Sequence, residues 1–202
     1  SVRRSDVCST YPERLSHPKI KNITVEKLRL RQKDPLTIHF NPSYNALIGG
    51  RGSGKSTILE CLRLGLAREN ELLTGRSDSA LKQSFENFKK EKTGRNQPGM
   101  MLHDTRITVE VSKGHGDFEE RFEYRWTKGA DAKFAVTVRR WDSDAWQATQ
   151  LTEEQARSNF PVKLFSQKQI LALADNPQHL IQYIDDVLGG SKEAWVQGFA
   201  IK

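Results

Sequence analysis

One stretch of the chain constrains its fold more than any other: residues 49–56, which read Gly-Gly-Arg-Gly-Ser-Gly-Lys-Ser. They satisfy the pattern G-x-x-x-x-G-K-[S/T] and lie between a short apolar run, residues 44–48, and a segment with apolar residues at helical spacing. Glycines let such a loop curl so that backbone N–H groups point into one concavity, at which the following helix aims its positive end. We therefore expect an α/β fold in which residues 44–48 are a strand buried on both faces and a helix runs from about Lys55 to Glu69.

The same loop predicts binding of a nucleoside triphosphate with Mg²⁺. Lys55 can lie along the β- and γ-phosphates, the Ser56 hydroxyl can bind Mg²⁺, and Thr57 can reach the α-phosphate. The candidate cofactor-binding residues are Gly49, Gly50, Arg51, Gly52, Ser53, Gly54, Lys55, Ser56 and Thr57. A GTPase would also need an Asn-Lys-x-Asp guanine reader, and the sequence contains none.

Alternating apolar residues predict a β-hairpin before the loop, formed by residues 20–30 and 36–40, and an antiparallel meander after it. We expect residues 142–154 to be a solvated loop and residues 161–165 to be one more strand. Helices are predicted at residues 79–92, 152–158 and 176–188, the last one ended by Gly189. Three faces of the meander are expected to be apolar: Ile107, Val109 and Val111; Phe118, Phe122, Tyr124 and Trp126; and Phe134, Val136 and Val138.

The charge is unevenly placed along the chain. The net charge is +7, and the first hundred residues hold 19 basic against 10 acidic side chains. This asymmetry favours an anionic partner, nucleic acid or nucleotide before membrane, although a solvated basic surface explains it equally well. No apolar run approaches the roughly 18 residues of a membrane span, and two cysteines make no disulfide framework. We therefore expect a cytoplasmic protein with no membrane partner.

Two stretches together resemble a known family. They are residues 40–57, around the glycine loop, and residues 164–170, Leu-Phe-Ser-Gln-Lys-Gln-Ile. Both resemble the N-terminal lobe of SMC/RecF-like ABC ATPases, most closely the bacterial SMC-like ATPases preceded by a PHP-type phosphoesterase domain (the TrlF type). The resemblance covers about residues 19–190 and departs from most SMC proteins at Arg51, where they usually have Asn.

The resemblance implies a P-loop NTPase of the α/β class, an ABC-ATPase-like lobe with a β-hairpin before the P-loop and an antiparallel β-meander inserted after it. Residues 1–18 would be a linker or arm, 19–188 the ATP-binding lobe, and 189–202 the start of a helix or coiled coil. The cofactors would be ATP and Mg²⁺. Gln167 would act beside Lys55 as a catalytic residue and join Ser56 around the metal, with Gln169 as the alternative if the register is shifted.

Two motifs that such an ATPase needs are missing: an apolar strand ending in Asp-Glu, and an LSGGQ-type signature. Residues 180–186 end in two aspartates but are framed as a helix, and residues 188–192 echo the signature only faintly. The implied partners are therefore a C-terminal lobe, a second protomer in a homodimer, and DNA or an attached nuclease, in DNA repair or antiphage defence. A nucleotide-dependent interaction module with little turnover and a self-contained P-loop kinase remain as alternatives.

Other candidates are weaker. The five histidines lie on different segments without metal-ligand spacing. The basic run Lys89, Lys90, Lys92 and Arg95 could follow a phosphate backbone, but a solvated helix end explains it better. Trp126, Trp141 and Trp146 are expected to pack in the core or at its rim rather than to stack on bases.

Overall fold

The computed structural model describes residues 18–29, 33–69, 79–91, 99–114, 118–128, 134–167, 169–170 and 181. Its contacts divide the chain into two units, residues 1–162 and 163–202, which are taken separately below. All named elements belong to the first unit: β1 (Lys19–Leu28), β2 (Leu36–His39), α1 (Lys55–Gly65), α2 (Ser79–Lys89), β3 (Met101–Lys113), β4 (Glu120–Lys128), β5 (Phe134–Asp142), β6 (Ala145–Ala148) and α3 (Glu153–Asn159).

The six strands form one antiparallel sheet in the order β2-β1-β3-β4-β5-β6. The predicted hairpin and the predicted meander are both present, and β1 joins them by pairing with β3. One register row runs across four strands, from Ile23 through Val109 and Tyr124 to Val138. Because side chains alternate across a sheet, this row places the apolar positions of all four strands on the same face.

That apolar face is the core of the first unit, and α1 packs against it over β3 and β4. Apolar residues alternate along the strands and recur at helical spacing along α1, so each element has one apolar side that is buried. Gly65 lies against Val109 and Ile107 of β3, where a Cβ atom would be 2.6 Å from Val109 Cγ2. The buried side chains include Ile23, Val25, Ile58, Cys61, Leu62, Ile107, Val109, Val111, Phe122, Tyr124, Trp126 and Val138.

The opposite face of the sheet is a network of ion pairs. Glu26 pairs with Arg106, Glu110 with Arg121, and Glu123 with both Arg125 and Arg139. Near the β5–β6 turn, Trp141 and Trp146 form a cross-strand edge-to-face pair with ring centroids 5.2 Å apart. Opposite charges at neighbouring strand positions and paired aromatic rings both stabilise a solvent-facing sheet surface. The two tryptophans therefore pack at the sheet surface, while Trp126 lies in the core.

The prediction that residues 44–48 form a buried strand is wrong. They adopt no regular structure, and Tyr44, Leu47 and Ile48 are 81%, 46% and 95% exposed. A strand needs a neighbour to pair with, and no strand in the described part of the chain pairs with this run. The apolar composition of the run predicts burial, and none of the described residues covers it.

Three further predictions need correction. Residues 161–165 form no strand, and none of them pairs with a strand of the sheet. Part of the expected loop at residues 142–154 is β6, which the Trp141–Trp146 pair holds against β5. Phe118 lies before β4 and is 87% exposed, so it does not share the buried face of Phe122.

The helix predictions are confirmed where the structure describes them, with shorter ends. The glycine-loop helix ends at Gly65 rather than Glu69, and the second helix at Lys89 rather than Lys92. Thr152 caps α3 in a reciprocal arrangement with Gln155, as a capping box requires. Of the helix expected at 176–188 the structure describes only Ile181, and the segment 189–202 and most of the arm at 1–18 lie outside the described residues. No helix among the residues described is long and apolar enough to cross a membrane.

Candidate functional site

The glycine loop leads directly into α1 and curls as the sequence predicts. Gly52 and Gly54 have φ values of 81° and 90°, in the left-handed region that side chains disfavour. The Ser53 N–H donates to the Gly50 carbonyl at 3.3 Å, which closes a turn within the loop. At Gly49 a Cβ atom would lie 2.6 Å from Ser53 Oγ, so this turn leaves no room for a side chain there.

The N-terminus of α1 is open to an anion. Gly54 is the N-cap, no side chain caps the helix, and its first turn contains no acidic residue. The first N–H groups of a helix have no partner within it, and together with the helix dipole they attract negative charge. An eleven-residue helix that begins in a glycine loop without a competing carboxylate fits the phosphate groups of a nucleotide.

The Lys55 ammonium group lies against the loop. Its Nζ donates to the carbonyl of Gly49, to the carbonyl of Gly50 at 2.8 Å and to Ser53 Oγ at 3.1 Å. An ammonium group has three N–H donors, and these three acceptors match them. These bonds hold the lysine side chain against the loop. A phosphate bound in the loop would compete with the same oxygens for the N–H donors of Lys55.

The remaining loop residues are placed at the surface. Arg51 and Ser56 are exposed, and Thr57 is half-buried in the first turn of α1. Ser56 follows Lys55 directly and offers a hydroxyl oxygen, which is a suitable ligand for Mg²⁺ when a phosphate supplies others. Within the described residues no group of three or more His, Cys, Asp or Glu side chains could hold a metal ion by itself.

Behind the loop, the buried side of α1 has no reactive nucleophile. Burial raises the pKa of the Cys61 thiol to about 12, and the neighbouring Glu60 carboxylate adds to the effect. Burial also raises the pKa of Glu60, although Arg63, whose Nε donates to it at 3.0 Å, opposes the shift. The thiolate is the reactive form of cysteine, so Cys61 is a packing residue.

Gln167 belongs to the second unit, where it is exposed and begins a helical turn. Ser166 and Gln169 cap that turn reciprocally: Gln169 N–H donates to Ser166 Oγ at 3.3 Å, and Ser166 N–H donates to Gln169 Oε1 at 2.8 Å. The amide oxygen of Gln169 is thus engaged in its own backbone cap. Of the two glutamines, Gln167 is the one that presents its side chain to solvent. Its pairing with Lys55 and Ser56 stays a prediction.

Of the basic run at the end of α2, Lys89 differs from both readings of the sequence, Lys90 is exposed, and Lys92 and Arg95 lie outside the described residues. Lys89 is buried and forms ion pairs with Glu69 at 2.7 Å and Glu86 at 3.0 Å. It also lies 5.1 Å from the ring centroid of Phe85. Burial lowers the pKa of Lys89, but the hydrogen bonds that it donates to Glu69 and Glu86 outweigh this effect, and the net shift of the pKa is upward. Lys89 therefore stabilises the packing of α2 and does not offer its charge to a nucleic acid.

The glycine loop leads into the uncapped N-terminus of α1, and α1 packs on the sheet. This arrangement defines a P-loop nucleotide-binding protein. Residues 22–194 match the family model described as an AAA domain, and the chain belongs to that family. This confirms the predicted α/β P-loop NTPase class. The family consists of P-loop ATPases, which generally use ATP and Mg²⁺.

No curated protein matches the chain. One solved structure, from work on the structural biochemistry of ATP-driven dimerization and DNA-stimulated activation of SMC ATPases, aligns with 84% of this chain and 99% of its own. The two sequences are 14% identical over that alignment, and the TM-score is 0.49. A likeness at this level carries no conclusion about what the chain binds.

Proposed function

We propose that this chain is the nucleotide-binding lobe of an SMC-like ABC ATPase. In this proposal it binds ATP·Mg²⁺ on residues 49–57, and hydrolysis requires a C-terminal lobe and a second protomer. The observation that carries the first half is the open N-terminus of α1 beside the Lys55 ammonium group. The four glycines of the loop, Gly49, Gly50, Gly52 and Gly54, let a phosphate approach those donors closely.

The roles of the side chains follow from their chemistry. Lys55 would exchange its loop acceptors for phosphate oxygens and would stabilise the charge that grows there during transfer. Ser56 would hold Mg²⁺ together with Gln167, whose amide could also orient the attacking water. The metal ion supplies charge neutralisation between the phosphates. Arg51, exposed within the loop, adds a second cation to the loop itself.

The second half of the proposal is that the site is incomplete without a C-terminal lobe. The exposed apolar run at residues 44–48 supports it. Tyr44 and Ile48 are more than three-quarters exposed immediately before the nucleotide loop, although large apolar side chains each gain about 1.5–3 kcal/mol from burial. Contiguous apolar exposure is typical of surfaces that contact another protein, a membrane or a ligand, and the proposal assigns this one to a further lobe of the ATPase. The acidic strand that an ABC ATPase needs is also missing from the sequence. A C-terminal lobe that pairs a strand with residues 44–48 would supply both.

The finer part of the proposal comes from the sequence resemblance: ATP-driven engagement of two protomers would control DNA binding or an associated nuclease, in DNA repair or antiphage defence. The ion pairs on the outer sheet face neutralise four arginines with three glutamates, so that face offers little net charge for DNA. If phosphate contacts dominate DNA binding, affinity should fall steeply between low and physiological salt. Binding that is absent or insensitive to salt would remove DNA from the proposal.

The test is ATP turnover by the chain alone and by a longer form that extends past Lys202. The proposal predicts that the chain binds ATP·Mg²⁺ without measurable hydrolysis and that the longer form hydrolyses it. Lys55→Ala in the longer form should abolish turnover, whereas Lys90→Ala, at an exposed lysine that contacts Asn87, should not.

Each alternative has its own signature in this experiment. Hydrolysis by residues 1–202 alone, lost in Lys55→Ala, would show that the site is complete and would refute the split-site half. Transfer of phosphate to a small molecule would establish a kinase. Binding without hydrolysis in the longer form as well would favour an interaction module that uses ATP to set its assembly state.

A further inference from the structure

The C-terminal end of α1 is built to present one arginine. Leu66 is the C-cap, and the N–H groups of Ala67 and Arg68 donate to the carbonyls of Leu64 at 3.1 Å and Arg63 at 2.8 Å. These two bonds are the Schellman arrangement, in which the residue after the C-cap is left-handed and usually glycine. Here that residue is Ala67, with φ 55°. A left-handed residue other than glycine costs free energy, so the geometry that places Arg68 is held against a local penalty.

The Arg68 side chain reaches the end of another helix. Its Nη2 donates to the carbonyl of Arg157 at 2.7 Å and to the carbonyl of Phe160 at 2.6 Å. Both carbonyls are at the C-terminus of α3, where Phe160 is the C-cap. The last carbonyls of a helix have no partner within it, and a cation at this end also interacts favourably with the helix dipole. Arg68 therefore supplies from α1 the cap that α3 lacks.

The sheet holds the same helix end independently. Tyr124 Oη donates to the carbonyl of Ala156 at 2.8 Å, and Lys113 Nζ donates to Asn159 Oδ1 at 2.6 Å. These two anchors come from β4 and β3, whereas Arg68 comes from the helix whose other end carries the nucleotide loop. Lys113 is thus a natural control for Arg68, since both are cations that bind the last turn of α3.

Phe160 ends α3 only seven residues before Gln167. Between them the chain runs without regular structure. A helix of eleven residues spans about 16 Å and moves as a rigid body, so a displacement at its N-terminus is carried to its C-terminus. A continuous path therefore leads from the nucleotide loop through α1 and Arg68 to the end of α3.

We propose that Arg68 is a positioning residue that makes the segment carrying Gln167 respond to the nucleotide bound at residues 49–57. The proposal rests on the function proposed above, because it requires ATP in the loop. Arg68 touches neither nucleotide nor metal; it acts by fixing where the end of α3 lies relative to α1. Coupling of this kind needs a contact that differs between the nucleotide-bound and nucleotide-free states, and the proposal assigns that difference to the two Arg68 bonds.

The experiment measures two quantities in the full chain: affinity for ATP·Mg²⁺, and the ATP-dependent change in amide hydrogen exchange of a peptide covering residues 161–167. The variants are Arg68→Met, Arg68→Lys and the matched control Lys113→Met. We expect Arg68→Met to bind ATP within about threefold of the wild type and to lose at least about four-fifths of the exchange response, since coupling energies typically correspond to factors of 5 or more. Arg68→Lys should keep part of the response, and Lys113→Met should keep nearly all of it.

The outcomes separate the two proposals. If the wild type binds no ATP, the proposed function fails and this inference fails with it. If the wild type binds ATP and residues 161–167 do not respond, or if Arg68→Met responds normally, only the positioning role is overturned. Equal losses in Arg68→Met and Lys113→Met would show that any anchor of α3 has the same effect, which also overturns it. Circular dichroism of each variant, with Arg68→Lys as the milder change, confirms that the fold is intact.

Discussion

Gly65 offers the sharpest test of how α1 is seated on the sheet. It is the last residue of the helix that begins with Lys55, and it has no side chain where the helix meets β3. A Cβ atom built there would lie 2.6 Å from Val109 Cγ2 and 3.2 Å from Ile107 Cγ2. Both neighbours are fully buried, β-branched and paired within the sheet, so their χ1 angles have little freedom to move aside.

The expected effect of Gly65→Ala is the balance of two terms. Alanine is favoured over glycine in a helix by up to about 1 kcal/mol. Against this, forcing a methyl group into a filled core costs about 1–3 kcal/mol, because the surrounding side chains or the helix must shift by close to 1 Å. We therefore expect a net loss of about 1–2 kcal/mol in the free energy of unfolding, or a melting temperature lower by a few degrees.

Urea unfolding of the wild type and three variants checks this: Gly65→Ala, Val109→Ala and the double variant. Val109→Ala removes the nearer of the two methyl groups that the new Cβ would meet, so the substitution at residue 65 should cost at least about 1 kcal/mol less in that background. Two results would refute the packing argument. One is a Gly65→Ala chain as stable as the wild type; the other is additive losses in the double variant.

Two further predictions concern titratable groups. The hydrogen bond from Lys21 holds the pKa of Glu119 below its usual 4.5, so Glu119 stabilises the fold above that pH and loses its contribution as pH falls through the folded value. Stability should therefore decline less steeply below about pH 4.5 in Lys21→Met than in the wild type, and identical slopes would contradict this cause. In a Cys8→Ser background, Cys61 should react with a thiol reagent at neutral pH only as fast as the chain unfolds, because the thiol is buried and its pKa is about 12. Rapid labelling of the native chain would show that α1 opens locally.

The features that local sequence determines were predicted well. The glycine loop, the start of its helix at Lys55 and the capped helix after Thr152 each depend on residues within a few positions of one another. The buried faces of β3 and β4 were also predictable, because alternation along one strand shows which side is apolar. What the pattern lacks is the identity of the neighbouring strand, and the β1–β3 pairing that unites the sheet therefore had no signal in the sequence.

The failures have the same origin. The apolar run at residues 44–48 indicates a need for burial and says nothing about which segment meets it. Arg68 had no signal either, because its two carbonyl partners are 89 and 92 residues away and belong to the backbone, which any residue supplies. The sequence predicted Lys89 to be a surface charge. Its partner Glu69 lies twenty residues earlier, and no periodic pattern connects the two positions.

Titration of ATP·Mg²⁺ into the chain tests the central claim most directly. The account predicts that the wild type and Lys90→Ala bind alike and that Lys55→Ala binds at least about tenfold more weakly, since a hydrogen bond from a charged group contributes about 1.5–3 kcal/mol. No binding by the wild type, or equal affinity in Lys55→Ala, would contradict it.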